Sequence, residues 1–252
     1  MATTFQPAPA VHGEERFFLI MAWVMALTIA AGFSMNLAMG RSTFAVPVLL
    51  HVHALVFFGW TALYLVQNTL VARDHVALHR RLGWLAVLWL PAMLVLGVMV
   101  MLWSLRERGG PPFFHQSEFL FGNSLHLLNF AGLVAAALTM RRTTGWHRRL
   151  MFTAMATLTG PGFGRLLPMP LLIPYAWWVT IGVTLVFPAI GMIADRRRSG
   201  RIHPAWFCAV GAVIATHLIA EALAYSDWGL GFTRELLAGT PGGARPMDAF
   251  MP

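Results

Sequence analysis

Seven apolar stretches, roughly 17–39, 48–71, 82–104, 119–140, 150–167, 171–194 and 205–225, follow one another with short polar intervals between them. Each approaches the ~20 residues that a helix needs to cross ~30 Å of hydrocarbon. In lipid a backbone must satisfy its own N–H and C=O groups, so spans of this length are helices. The expected fold is all-α: a polytopic membrane bundle of seven transmembrane helices. Composition agrees, with 58% hydrophobic and 11% charged residues, where a soluble domain carries ~25% charged. The expected division is a tail over 1–16, a transmembrane domain over 17–225 and an outer tail over 226–252. The first stretch is too long for a signal-peptide core and has no small-residue cleavage site, so it reads as a retained span. The fifth is the weakest. Gly160-Pro161-Gly162 interrupts it and Arg165 lies near its end, so it is expected to kink or to finish as a non-helical stretch packed on neighbours. In the outer tail, Phe232–Leu237 reads as a short amphipathic turn and the Gly/Pro-rich remainder as mobile.

Orientation follows from arginine. All 18 basic residues are Arg and the net charge is +8. Arg73, Arg80 and Arg81 follow the second stretch, Arg141, Arg142, Arg148 and Arg149 the fourth, and Arg196, Arg197, Arg198 and Arg201 the sixth. The other connections carry only Arg41, then Arg106 and Arg108, then Arg165. The positive-inside rule places the rich side, and with it the N-terminus, in the cytoplasm. Because the arginines lie in short loops, a nucleic-acid partner is not implied; the expected setting is a bacterial inner membrane, crossed several times. Trp84, Trp146 and Trp206 fall near the inner edge and Trp103 and Trp177 near the outer, as interfacial belts do. The single cysteine, Cys208, excludes an internal disulfide and reads as a small buried residue.

The chemistry lies in the histidines. Imidazole is costly in lipid without a partner. His53 and His126 each lie about two turns inside an apolar stretch. At 1.5 Å per residue both fall ~9–12 Å from the outer edge, as does His217 on the seventh stretch. His51 lies slightly above, and Glu221 is one turn outward of His217 on the same helix face. His79 and His147 open the next stretches at the inner edge, each in the word His-Arg-Arg-Leu (79–82 and 147–150); the stretch before His147 reads as loop. The repetition suggests a loose internal repeat of two helices. Two imidazoles from facing helices at one depth suit a b-type haem. His53 with His126 would hold an outer haem and His79 with His147 an inner one, with Arg80, Arg81, Arg148 and Arg149 as propionate partners.

Histidines on four consecutive helices, with Leu78-His79-Arg80-Arg81-Leu82-Gly83 at a helix start, make residues ~48–165 resemble the cytochrome b561-like di-haem membrane proteins, and also bacterial multi-span proteins of similar pattern. The resemblance pairs the second helix with the fourth and the third with the fifth. It implies one or two b haems and transmembrane electron transfer between a cytoplasmic reductant or quinol and an outer acceptor.

Two other chemistries fit the same residues. His51, His53, His126, His217 and Glu221 form a nitrogen-and-oxygen set suited to Zn, Fe or Cu, which would make an outer-side oxidase or hydrolase. Alternatively the histidines and Glu221 relay protons in a transporter or sensor. His12, His75, His115 and His203 read as structural or solvated. Gln67, Asn68, Asn123 and Asn129 read as helix-bridging polar groups. Arg41 and Arg165 are expected to meet lipid headgroups.

Overall fold

A computed structural model describes residues 10–251 and contains only helices and connections among them. The α-helices are α1 (Ala10–Ala38), α2 (Val48–Ala72), α3 (Val76–Gly83), α4 (Leu85–Arg108), α5 (Gln116–Thr139), α6 (Thr144–Thr157), α7 (Gly160–Leu166), α8 (Ala176–Thr184), α9 (Val186–Ser199), α10 (Pro204–Ala224) and α11 (Asp227–Leu237). Six stretches are long and apolar enough to cross a membrane: residues 13–38, α2, α4, α5, α8 with α9, and α10. Leu55, Leu88 and Leu27 point outward from them, as lipid-facing side chains do. Most of the tail expected over 1–16 lies outside the described residues, as does the side chain of His12. Glu14, Glu15 and Arg16 already belong to α1.

α5 is the hub. It packs along α10 and α6, and also meets α4 and α11. Its buried face carries Leu120, His126, Phe130, Leu133 and Val134. α1 lies against α7 and α2. The α1–α7 approach needs glycine: a Cβ on Gly32 would run into the Gly162 carbonyl. The weak fifth stretch is helical, divided at Leu158–Thr159 into α6 and α7. Pro161 explains the break, because its ring clashes with a carbonyl one turn back. α6 begins at Thr144, so His147 lies in a helical first turn and not in a loop. On the third stretch, α3 ends at Gly83 and α4 starts anew at Leu85.

A buried ion cluster ties four helices at the arginine-rich end. Asp195 (α9) accepts from Arg149 (α6) Nε at 2.8 Å and Nη2 at 2.7 Å. Trp206 Nε1 (α10) donates to the same carboxylate at 2.8 Å, and the His203 amide at 3.3 Å. Glu14 (α1) accepts from Arg149 at 2.7 Å and pairs with Arg148 at 2.6 Å.

Several expectations are corrected. Trp206 and Trp177 are core side chains, at 0% and 6% exposure, and not interfacial belts. Trp206 is pulled inward by Asp195; Trp177 packs edge-on to Phe114 at 4.7 Å. Cys208 is exposed on the outer surface of α10. The tail from residue 226 onward, expected to be mobile in its Gly/Pro-rich part, is docked. Ser226 caps α11 by accepting from Gly229 N, so that helix starts five residues before Phe232. Beyond it, Gln116 Nε2 donates to Gly242 O at 2.9 Å, Gln116 N to Met247 O at 2.9 Å and Phe250 N to Pro112 O at 2.8 Å. Those bonds satisfy backbone groups that a mobile segment would leave to water.

Candidate functional site

The histidines gather into two pairs of facing rings. At the arginine-rich end, His79 (α3) and His147 (α6) lie with centroids 6.2 Å apart and planes at 80°. His147 Nδ1 is 2.8 Å from Ala137 O on α5. A carbonyl only accepts, so Nδ1 carries the proton and Nε2 presents a lone pair; metal-ligating histidines are commonly held this way. His79 Nδ1 lies 2.7 Å from the Gln67 side-chain nitrogen of α2, whose oxygen accepts from Gly83 N at 2.9 Å. In that arrangement Nδ1 accepts and Nε2 carries the proton. Ligation through Nε2 needs the other tautomer and a turned Gln67 amide. Burial, then His147 and Arg80, hold the His79 imidazole below its ordinary pKa, so it is neutral at pH 7.

At the other end, the rings of His126 (α5) and His217 (α10) lie 5.7 Å apart at 36°. His217 is 4% exposed and His126 9%. Neither ring has a hydrogen-bond partner on either nitrogen. Trp177 flanks His126 at 6.3 Å and Trp178 meets His217 edge-on at 4.2 Å. Above them, Glu118 on the first turn of α5 is 3% exposed, with the Glu221 carboxyl of α10 as its neighbour. Glu221 Oε1 is buried and unpartnered. A cavity of about 240 Å³ opens over Glu118 and is lined by His115, Tyr225 and Asp248.

His53, expected opposite His126, is elsewhere. Its ring stacks on Phe57 of its own helix at 4.2 Å. α2 packs chiefly on α1, α4 and α3; it reaches α5 through Trp60 and Phe130 at 5.5 Å, while the imidazole beside His126 is that of His217. His51 points to the surface and contacts Phe44 O at 3.1 Å. The five-residue metal set is therefore not assembled, and no group of three or more His, Cys, Asp or Glu converges among the described residues. Arg80 is exposed and unpaired beside His79, whereas Arg148 and Arg149 are engaged by Glu14 and Asp195. Sequence reasoning passed over Glu118, which reads as an ordinary acidic residue at a helix start, and Trp177, which reads as a belt residue. Gln67 reads as a helix bridge and serves as one, but its partner is a histidine.

Two imidazoles sharing one metal on a straight axis stand about 6 Å apart between centroids, given metal–nitrogen bonds of about 2 Å. Both pairs meet that spacing. His147 docks at the level of Ala137, eleven residues along α5 from His126, which is about 16 Å of helix. No protein-family model matches the chain, and no curated protein or solved structure matches it significantly.

Proposed function

We propose that the chain is a membrane haem b protein that moves electrons across the bilayer, with His79–His147 and His126–His217 as its two ligand pairs. The observation that carries this reading is pairwise: among the described residues, buried or half-buried imidazoles face one another at metal-sharing distance in twos, and never in threes. A bis-histidine haem takes two protein ligands; a Zn, Fe or Cu centre built from protein alone takes three or four. Haem, when bound, supplies a one-electron carrier at each end. The chain's own residues do the rest. Ala137 O fixes the His147 tautomer and Gln67 braces His79. Arg80 offers a cation for a propionate at the inner site, in place of the engaged Arg148. The resemblance to cytochrome b561-like proteins points the same way, with His217 replacing His53 as the outer partner.

The reading includes a seventh crossing, made by α6 and α7 together. Residues 144–166 span about 34 Å as helix, enough for the hydrocarbon layer. It also places the arginine-rich end and the N-terminus in the cytoplasm of a bacterial inner membrane, with a quinol or other redox partner as electron source.

The test is a reduced-minus-oxidised spectrum of the purified chain with a haem count. Two haems per chain are expected, with His147→Ala and His217→Ala each losing one and His53→Ala keeping both. A colourless chain, or loss of haem only in His53→Ala, overturns the reading. One observation favours a proton relay instead: the carboxyls of Glu118 and Glu221 neighbour one another beneath the cavity of about 240 Å³ and above His217. A chain without haem whose proton flux in vesicles falls in Glu118→Gln would select that second reading.

A further inference from the structure

We propose that the cavity between α5, α11 and the docked tail binds inorganic phosphate, with Arg234 and Arg245 as its two cationic walls. The cavity holds about 200 Å³ and is lined by Arg234, Arg245 and Gln116; its other walls are apolar or glycine, and no carboxylate is among them. Drug-sized ligands occupy ~300–1,000 Å³, so this one suits a small ion. A glycine pair builds it. Gly109 ends α4, and both it and Gly110 take left-handed backbone, at φ +69° and +74°, which glycine adopts without steric penalty. That turn presents two carbonyls. Gly110 O accepts from Arg245 Nη1 at 2.6 Å, and Gly109 O from Gln116 Nε2 at 3.4 Å. The Arg245 guanidinium also lies over the Phe250 ring at 5.2 Å. Its head is thus fixed, but one edge of the fork is barely engaged. Nε and Nη2 have only the Pro246 and Pro111 carbonyls, each at 3.5 Å, longer than the ~2.7–3.2 Å of an ordinary bond. That edge is one that oxyanions take in bidentate fashion.

The chain supplies neither arginine with a counter-ion. All ten acidic side chains lie within the described residues, and the ion pairs they form engage His115, Arg148, Arg149 and Arg198. Carbonyl contacts satisfy N–H groups but leave the charge. Two guanidinia on one small cavity repel unless an anion lies between them. Arg234 sits in the last turn of α11, where the helix dipole favours a cation. That accounts for Arg234 alone, and not for a second arginine that the tail brings to the same cavity. Gln116 selects the anion. It is 2% exposed, and its Nε2 donates to Gly109 O and, at 2.9 Å, to Gly242 O. With both amide hydrogens spent, Oε1 is the group left for a ligand, and an acceptor calls for a hydroxyl. Hydrogen phosphate carries a hydroxyl beside its anionic oxygens; a carboxylate or a phosphodiester carries none on the anionic group. Bound there, the ion ties the tail to α11.

The site shares no residue with either histidine pair, so it stands or falls without haem. The test is isothermal titration calorimetry of the full chain in detergent and phosphate-free buffer, with thermal unfolding beside it. Inorganic phosphate is expected to bind and to raise the unfolding temperature, as a ligand of the folded chain does. Chloride at equal ionic strength is expected to do neither. Arg234→Gln should weaken binding at least about tenfold, the loss of one charge-assisted contact. Arg245→Lys, which keeps the charge and loses the fork, should weaken it too, and Arg41→Gln, on the α1–α2 connection, not at all. Phosphatidylglycerol, which has no hydroxyl on phosphorus, should bind more weakly than the free ion. No binding of phosphate overturns the proposal, as does equal binding in wild type and Arg234→Gln, or an effect that chloride matches. Tighter binding of phosphatidylglycerol, lost in Arg234→Gln, would hand the site to a lipid headgroup and overturn the assignment to the free ion. Should Arg234→Gln fail to fold, Arg245→Lys decides, and an unchanged affinity there overturns the proposal.

Discussion

Asp195→Asn is the sharpest test of how the bundle is held at its arginine-rich end. The carboxylate accepts two bonds from Arg149, one from Trp206 and one from the His203 amide, at 2.7–3.3 Å. Arg149 is 5% exposed and Asp195 5%. Asparagine keeps the shape, removes the charge, and turns an N–H₂ toward donors. Removing one partner of a buried pair costs about 3–5 kcal/mol. Glu14 remains 2.7 Å from Arg149, so the lower end, about 3 kcal/mol, is expected. At ~2–4 °C per kcal/mol for a chain of this size, the unfolding temperature should fall by about 6–12 °C. Glu14→Gln leaves the Asp195 pair intact and removes a more exposed charge, so about 1 kcal/mol is expected. Replacing both buried partners, Arg149→Met with Asp195→Leu, should recover most of the loss, because no charge is then left stranded. Tryptophan fluorescence during a thermal ramp in detergent reads all three variants and also reports the Trp206 environment. A shift in Asp195→Asn no larger than that in Glu14→Gln would refute the reasoning, as would a double variant no better than Asp195→Asn.

Three further outcomes are expected. His115 and His203 cap α5 and α10 by accepting backbone N–H groups on Nδ1, and burial holds both below their ordinary pKa. The unfolded chain therefore takes up these protons first, so stability should fall as pH drops through 6.5 toward the folded values, by about 1 kcal/mol per cap. Asparagine at both positions caps without titrating, and unfolding temperatures measured from pH 7.5 to 5 should then lose that component. Gly32→Ala drives a Cβ into the Gly162 backbone and should cost about 1–3 kcal/mol, as overpacking does; an unchanged unfolding temperature would contradict the α1–α7 approach. Gly242→Ala meets Gly109 N at 2.7 Å and should undock the tail. Limited proteolysis should then cut near residues 238–247 in the variant and spare the wild type.

Helical type was legible because apolar length in lipid leaves the backbone few choices; against seven expected spans, six stretches among the described residues have the length and apolarity to cross a membrane. The nearness of His79 and His147 was legible too: the repeated His-Arg-Arg-Leu put two imidazoles at one arginine-rich edge, and their rings lie 6.2 Å apart. The partner of His126 was not. Rise per residue gives depth, but only packing decides which helices are neighbours, and α10 rather than α2 lies along α5. For the same reason the arginines of the two repeats part company. Arg80 stays exposed, while Arg149 finds Asp195, 46 residues away in sequence. Trp206 read as a belt residue because its acceptor is on another helix. The docked tail was hidden because its bonds run to residues 109–116, more than a hundred positions earlier.

Glu14 must wait for its partner. Arg149 follows it by 135 residues, some 7–27 s of synthesis at 5–20 residues per second. Throughout that interval the first helix has been inserted with its anchoring carboxylate unengaged, and Gly32 still lacks Gly162 to lean on. A weakened Arg149 would carry that wait past the end of synthesis, leaving Glu14 with Arg148 as its close partner.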